Sequence, residues 1–122
     1  MIGSNMYVAP PTTKGGTDGA LTVTAAGTTL ATATVLGSNL NVVTTAAAST
    51  GVSLPAAAAA GELVFVNNQG ANALAVYPAT STGTINGGSA GAAVSLAVTN
   101  SKTKNSMFVC MGSDVWISYV SA

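Results

Sequence analysis

The chain has no histidine, no arginine, a single cysteine and only six charged side chains: Lys14, Asp18, Glu62, Lys102, Lys104 and Asp114. Charged residues make up 5% of its 122 positions, against about 25% in an average globular protein. Each shortage excludes a class of chemistry. Without imidazole, the commonest general base and metal ligand is missing. One thiol can neither close an internal disulfide nor build a zinc site. Cys110 lies in the apolar run 107–111 and reads as a buried, inert thiol. Asp18, Glu62 and Asp114 stand in unrelated segments, so neither a carboxylate pair nor a calcium cluster is expected. Three lysines give too little positive charge to neutralise a nucleic-acid backbone. The glycine-rich piece 83–88 has no Lys-Ser or Lys-Thr after it, so it is a turn and not a phosphate loop. No apolar run approaches the length of about 20 residues that a membrane span needs. Residues 1–11 lack the basic start and apolar stretch of a signal peptide, so folding in a cytoplasm is expected. No catalytic residue, cofactor or metal is expected, and the chain reads as a non-enzyme.

What remains is apolar and small. The hydrophobic share is 48%, but much of it is alanine, leaving roughly 35 larger apolar residues for one thin core. Polarity comes from Thr, Ser and Asn, which suit strands and turns. The length fits one domain, and a net charge of zero offers little resistance to self-association.

Residues 1–20 differ from the rest. Pro10 and Pro11 favour extended backbone, and Lys14-Gly15-Gly16-Thr17-Asp18-Gly19 reads as a linker. This arm is either disordered or ordered along a neighbouring surface, and the second option would explain why it carries Ile2, Met6, Tyr7 and Val8. From Leu21 onward apolar residues recur with period two. The spacing predicts strands over 30–36 and 40–45, joined as a hairpin at Gly37-Ser38-Asn39. A strand follows over 62–67, whose near-continuous apolar run suggests burial on both faces. Further strands are expected over 72–77, ended by Pro78, over 84–87, around Val94, Leu96 and Val98, and over 106–111 and 115–120. Gly112-Ser113-Asp114 links the last two as a hairpin, and Ala56 to Ala60 can form one helical turn after Pro55. The whole reads as an all-β, single-domain antiparallel β-sandwich or jelly roll over 21–122 with an extended N-terminal arm. Thr22-Val23-Thr24 and Thr32-Ala33-Thr34 hint at the threonine ladders of ice-binding solenoids, but no later repeat continues them.

The segment Thr50-Gly51-Val52-Ser53-Leu54-Pro55 leads through the alanine run and Gly61 into 62–68. It continues as Gln69-Gly70-Ala71-Asn72-Ala73-Leu74-Ala75-Val76-Tyr77-Pro78-Ala79-Thr80 and closes with Thr84-Ile85-Asn86-Gly87-Gly88. This order resembles small virion proteins of tailed bacteriophages, cyanophage-type ones included, and among them capsid decoration (cement) proteins. The resemblance covers the central 40 or so residues, with a looser match through Phe108-Val109-Cys110 and Trp116. It implies a structural protein on the outer capsid surface, made and assembled in the host bacterial cytoplasm, which stabilises contacts between subunits of the major capsid protein. It also implies a small homo-oligomer, a trimer above all, with no catalytic residue. Met6, Tyr7, Val8, Pro10, Pro11 and Trp116 are the expected partner contacts, although Trp116 and Tyr119 must point to opposite faces of one strand and a partly buried place in the core is the commoner fate of a tryptophan. The alternative is a β module of a phage tail fibre or adhesin, binding a host-surface glycan or protein through Tyr7, Tyr77 and Trp116.

Overall fold

Alternating apolar residues and frequent turn residues fold the described part of this chain into ten short strands. The computed structural model describes residues 21–56, 58–97 and 104–120. In chain order the strands are β1 (Leu21–Thr24), β2 (Thr34–Val35), β3 (Leu40–Thr45), β4 (Gly51–Ser53), β5 (Leu63–Asn68), β6 (Leu74–Tyr77), β7 (Thr84–Ile85), β8 (Val94–Leu96), β9 (Lys104–Gly112) and β10 (Val115–Val120). A 3-10 turn, Leu30–Thr32, precedes β2. The expected N-terminal arm, with Met6, Tyr7, Val8, Pro10 and Pro11, lies outside the described residues, as does Val98.

The strands form two sheets, one of six strands in the order β1-β3-β5-β9-β10-β7 and one of four in the order β2-β4-β6-β8. From β1 to β8 the chain adds one strand to one sheet and the next to the other. Consecutive passes therefore stack parallel: β1 on β3 on β5 in the larger sheet, and β2 on β4 on β6 in the smaller. Among the described residues the antiparallel strand pairs are β5–β9, β9–β10 and β6–β8, with one isolated antiparallel bridge between Ala26 and Gly51. The all-β class stands as expected; the antiparallel arrangement is corrected to mixed sheets.

The correction has a local cause in the turn at Gly37-Ser38-Asn39. Leu36 N–H donates to the Ser53 carbonyl at 3.0 Å, while Phe65 N–H donates to the Asn39 carbonyl at 2.7 Å. The turn is pinned to one sheet at its start and to the other at its end. It carries the chain across the core and does not fold it back, so the hairpin expected there does not form. The solenoid-like winding that follows has no threonine ladder, because Thr22 and Thr24 lie in one sheet and Thr34 in the other.

Inner side chains of both sheets share one core. Val43, Val64, Val66, Phe108 and Trp116 come from the larger sheet, and Val52, Leu74, Val76 and Leu96 from the smaller. Cys110 is buried among them as a free thiol. Strand β5 is buried on one face only, since Val64, Val66 and Asn68 point inward while Leu63 and Phe65 are exposed. The expectation of burial on both faces is thereby corrected. No helix forms among the described residues of the alanine run 56–60.

Asparagines tie the turns to this frame. The Asn41 amide donates to the carbonyls of Ser38 and Phe65, and that of Asn68 to the carbonyls of Asn72 and Leu96. The Asn72 amide reaches the Ala46 carbonyl at 2.9 Å. Buried carbonyls left without partners are costly. In a chain with almost no charge, asparagine meets that need.

Candidate interaction surface

The hairpin between β9 and β10 closes through Ser113 and Asp114, with φ of 53° and 59°. Left-handed backbone at both turn positions matches the right-handed twist of the flanking strands, so the expected hairpin is present. Asp114 uses that geometry to reach sideways. Its Oδ1 accepts from Ala79 N–H at 3.0 Å and from the Trp116 indole Nε1–H at 2.7 Å. Its Oδ2 accepts from Thr80 N–H at 2.8 Å and the Thr80 hydroxyl at 2.7 Å. Gly83 leaves room for this, because a Cβ there would fall 1.9 Å from Asp114 Oδ2. Burial alone would raise the Asp114 pKa. The bonds from the Thr80 hydroxyl, the indole and the two backbone amides outweigh it and hold the carboxyl below its ordinary value. With four donors on its two oxygens, this carboxylate is a structural clasp.

Trp116 is 1% exposed. It is a core residue with its one polar atom satisfied, so the expectation that it anchors a partner is corrected. A cleft of about 340 Å³ opens beside it, lined by Pro55, Ala58, Ser113, Asp114 and Trp116, in which both Asp114 oxygens are already engaged by Ala79, Thr80 and the indole. The Cys110 thiol packs near the Ala58 carbonyl and the Gly112 amide. Among the described residues no group of three His, Cys, Asp or Glu is placed to hold a metal, and no helix is long and apolar enough to cross a membrane.

The outer faces of the two sheets differ. On the smaller sheet, Tyr77 lies over Gly51, where an added Cβ would meet the ring at 2.8 Å, and its hydroxyl donates to the Thr28 carbonyl at 3.0 Å. Ser53 beside it is buried. Tyr77 covers that part of the face, while Val35, paired with Ser53, stands 68% exposed at its edge.

On the larger sheet the outward positions are Leu40 and Val42 of β3, Leu63 and Phe65 of β5, Met107, Val109 and Met111 of β9, and Val115, Ile117 and Tyr119 of β10. All the exposed large hydrophobics among the described residues belong to this set except Leu21 and Val35. Tyr119 is 60% exposed, Met111 55% and Phe65 41%. They adjoin across the ladder: Met107 pairs with both Phe65 and Tyr119, Val109 with both Leu63 and Ile117, and Leu40 with Phe65. None of these positions carries a charge. Scattered exposed hydrophobics are ordinary, but a contiguous uncharged patch spanning four strands is a candidate for an interaction site.

Period-two alternation was enough to place Trp116 and Tyr119 on opposite faces. What hid this surface was β5, where apolar residues on both faces of the strand read as complete burial. No family model matches the chain, no curated protein matches it, and no solved structure matches its fold.

Proposed function

We propose that this chain is a structural virion protein of a tailed bacteriophage: a capsid decoration protein that catalyses no reaction and acts by burying surface. Its outer sheet face is the observation that carries the reading. Ten neighbouring apolar positions without a single charge are costly to leave in water and cheap to desolvate against another protein. The likeness of the segment 50–88 to phage virion proteins adds the setting, which is the capsid surface after assembly in the bacterial cytoplasm. On this reading the two-layer body, a β-sandwich in its role, is a stiff plate. It is repeated over the shell, and many modest contacts with the major capsid protein and with copies of itself sum to resistance against internal pressure.

The adhesin alternative has less support. Of the aromatics expected to hold a glycan, Trp116 is in the core and the Tyr77 hydroxyl is engaged by the Thr28 carbonyl, while the exposed rings, Phe65 and Tyr119, stand among apolar neighbours.

The test is co-sedimentation of the full chain with phage capsids stripped of decoration. Saturable binding at a fixed ratio to coat subunits, weakened at least tenfold by Phe65→Lys, is expected. Failure to pellet with capsids, together with blocked adsorption of phage to host cells, would establish the adhesin reading in its place.

A further inference from the structure

We infer that the outer face of the six-stranded sheet docks a second copy of this chain, face to face, about a two-fold axis running along β9. The inference rests on the reading that this face works by being buried, and it names the occupant.

Two rows of side chains cross the face, each centred on β9. One is Leu63, Val109 and Ile117; the other is Phe65, Met107 and Tyr119. In both rows large apolar groups on β5 and β10 flank an unbranched or β-branched residue in the middle. Such a surface is symmetric in size and chemistry about β9. A half-turn about β9 lays β5 of one copy over β10 of the other while each row stays at its own height. Phe65 then faces the partner's Tyr119, Leu63 faces the partner's Ile117, and Met107 meets its own counterpart. Each aromatic contact occurs twice, as an isologous interface requires.

Electrostatics permits the pairing. Identical faces bring like charges together wherever they carry any, and this one carries none at the positions named. The whole chain has a net charge of zero, so nothing long-ranged holds two copies apart. Size is adequate as well. The three strands that the half-turn overlays, at about 4.8 Å spacing and each roughly 20 Å long, give a flat footprint of roughly 290 Å². Side-chain relief enlarges that into the range of the smaller specific interfaces. Phe65 and Tyr119 are its aromatic members, the residue type that contributes most to affinity at interfaces. A three-fold ring needs two unlike patches on each copy, and the described residues offer one.

The test uses the full chain and light scattering at micromolar concentration. A dimer is expected. Phe65→Glu alone and Tyr119→Lys alone are each expected to give monomers with unchanged circular dichroism, because both side chains are exposed and leave the core intact. Mixing those two variants, or combining both changes in one chain, is expected to restore the dimer, since the introduced carboxylate on β5 then faces the introduced ammonium on the partner's β10. A wild-type monomer or trimer, or monomeric variants that mixing fails to rescue, would overturn the inference. Capsid co-sedimentation of the same samples separates this result from the broader reading. A monomer that still binds capsids refutes only the two-fold pairing, and a dimer that ignores capsids refutes only the virion role.

Discussion

Replacing Asp114 with asparagine isolates the clasp that joins the β9–β10 hairpin to the loop after β6. The carboxylate accepts four hydrogen bonds, two on each oxygen. An amide keeps one oxygen and presents an NH2 group to the other pair of donors. If Oδ1 is kept for Ala79 and the indole, Thr80 N–H is left facing a donor and the Thr80 hydroxyl must turn to accept. A hydrogen bond to a charged group contributes about 1.5–3 kcal/mol. Discounting two such bonds for the solvent that reaches this half-exposed side chain leaves a loss of about 2–3 kcal/mol. For a body of this size the melting temperature should then fall by roughly 10–15 °C at pH 7. The pH dependence has a fixed sign. The folded-state pKa of Asp114 lies below its ordinary value of 3.8, so its contribution is complete above that value and is lost as pH falls through the lower, folded value. The gap between wild type and Asp114→Asn should therefore be widest at neutral pH and close below about pH 4. Thermal melts followed by circular dichroism across pH 2–7 measure both. Melting within 2 °C or so of wild type at pH 7, or a gap that persists unchanged into acid, would refute the assignment.

Two further substitutions probe the interior. The Ser106 hydroxyl is buried with no partner among the protein's own groups, so Ser106→Ala should stabilise the fold by about 0.5–1.5 kcal/mol in urea titrations; a loss would mean that the hydroxyl is satisfied. At Gly70 an added Cβ would lie 2.6 Å from Ala46 Cβ and 2.7 Å from Ala46 N, so Gly70→Ala should cost about 1–3 kcal/mol in the same assay.

Strand positions were largely legible in the sequence, because period-two alternation sets which residues face the core whatever the topology. Val64 and Val66, Phe108 and Cys110, and Trp116 against Tyr119 all follow it. The last hairpin was legible too, since Gly112-Ser113-Asp114 is short and turn-forming. Strand partners were not. Parallel stacking joins residues such as Leu21 with Asn41 and Leu40 with Phe65, and these separations differ, so no repeat announces the winding. What decides it is where the polar groups of Leu36 and Asn39 find partners, on Ser53 and Phe65 far along the chain. The interaction surface was hidden for a related reason. Leu63 and Phe65 are chemically indistinguishable from core residues, and only the register shows that they stand on the far side of β5 from Val64 and Val66. Trp116 reads in the sequence both as a partner contact and, more commonly, as a core residue; it takes the core place, with Asp114 as the partner of its indole.

The most direct test of the account is peptide-resolved oxidation of Met107 and Met111 by peroxide, since both lie on the outer face and Met111 is 55% exposed in the single chain. If that face is hidden against neighbours when the protein is at work, both should oxidise slowly at micromolar concentration, and dilution or Phe65→Lys should accelerate them. Oxidation at the rate of an exposed methionine, independent of concentration and of that substitution, would contradict it.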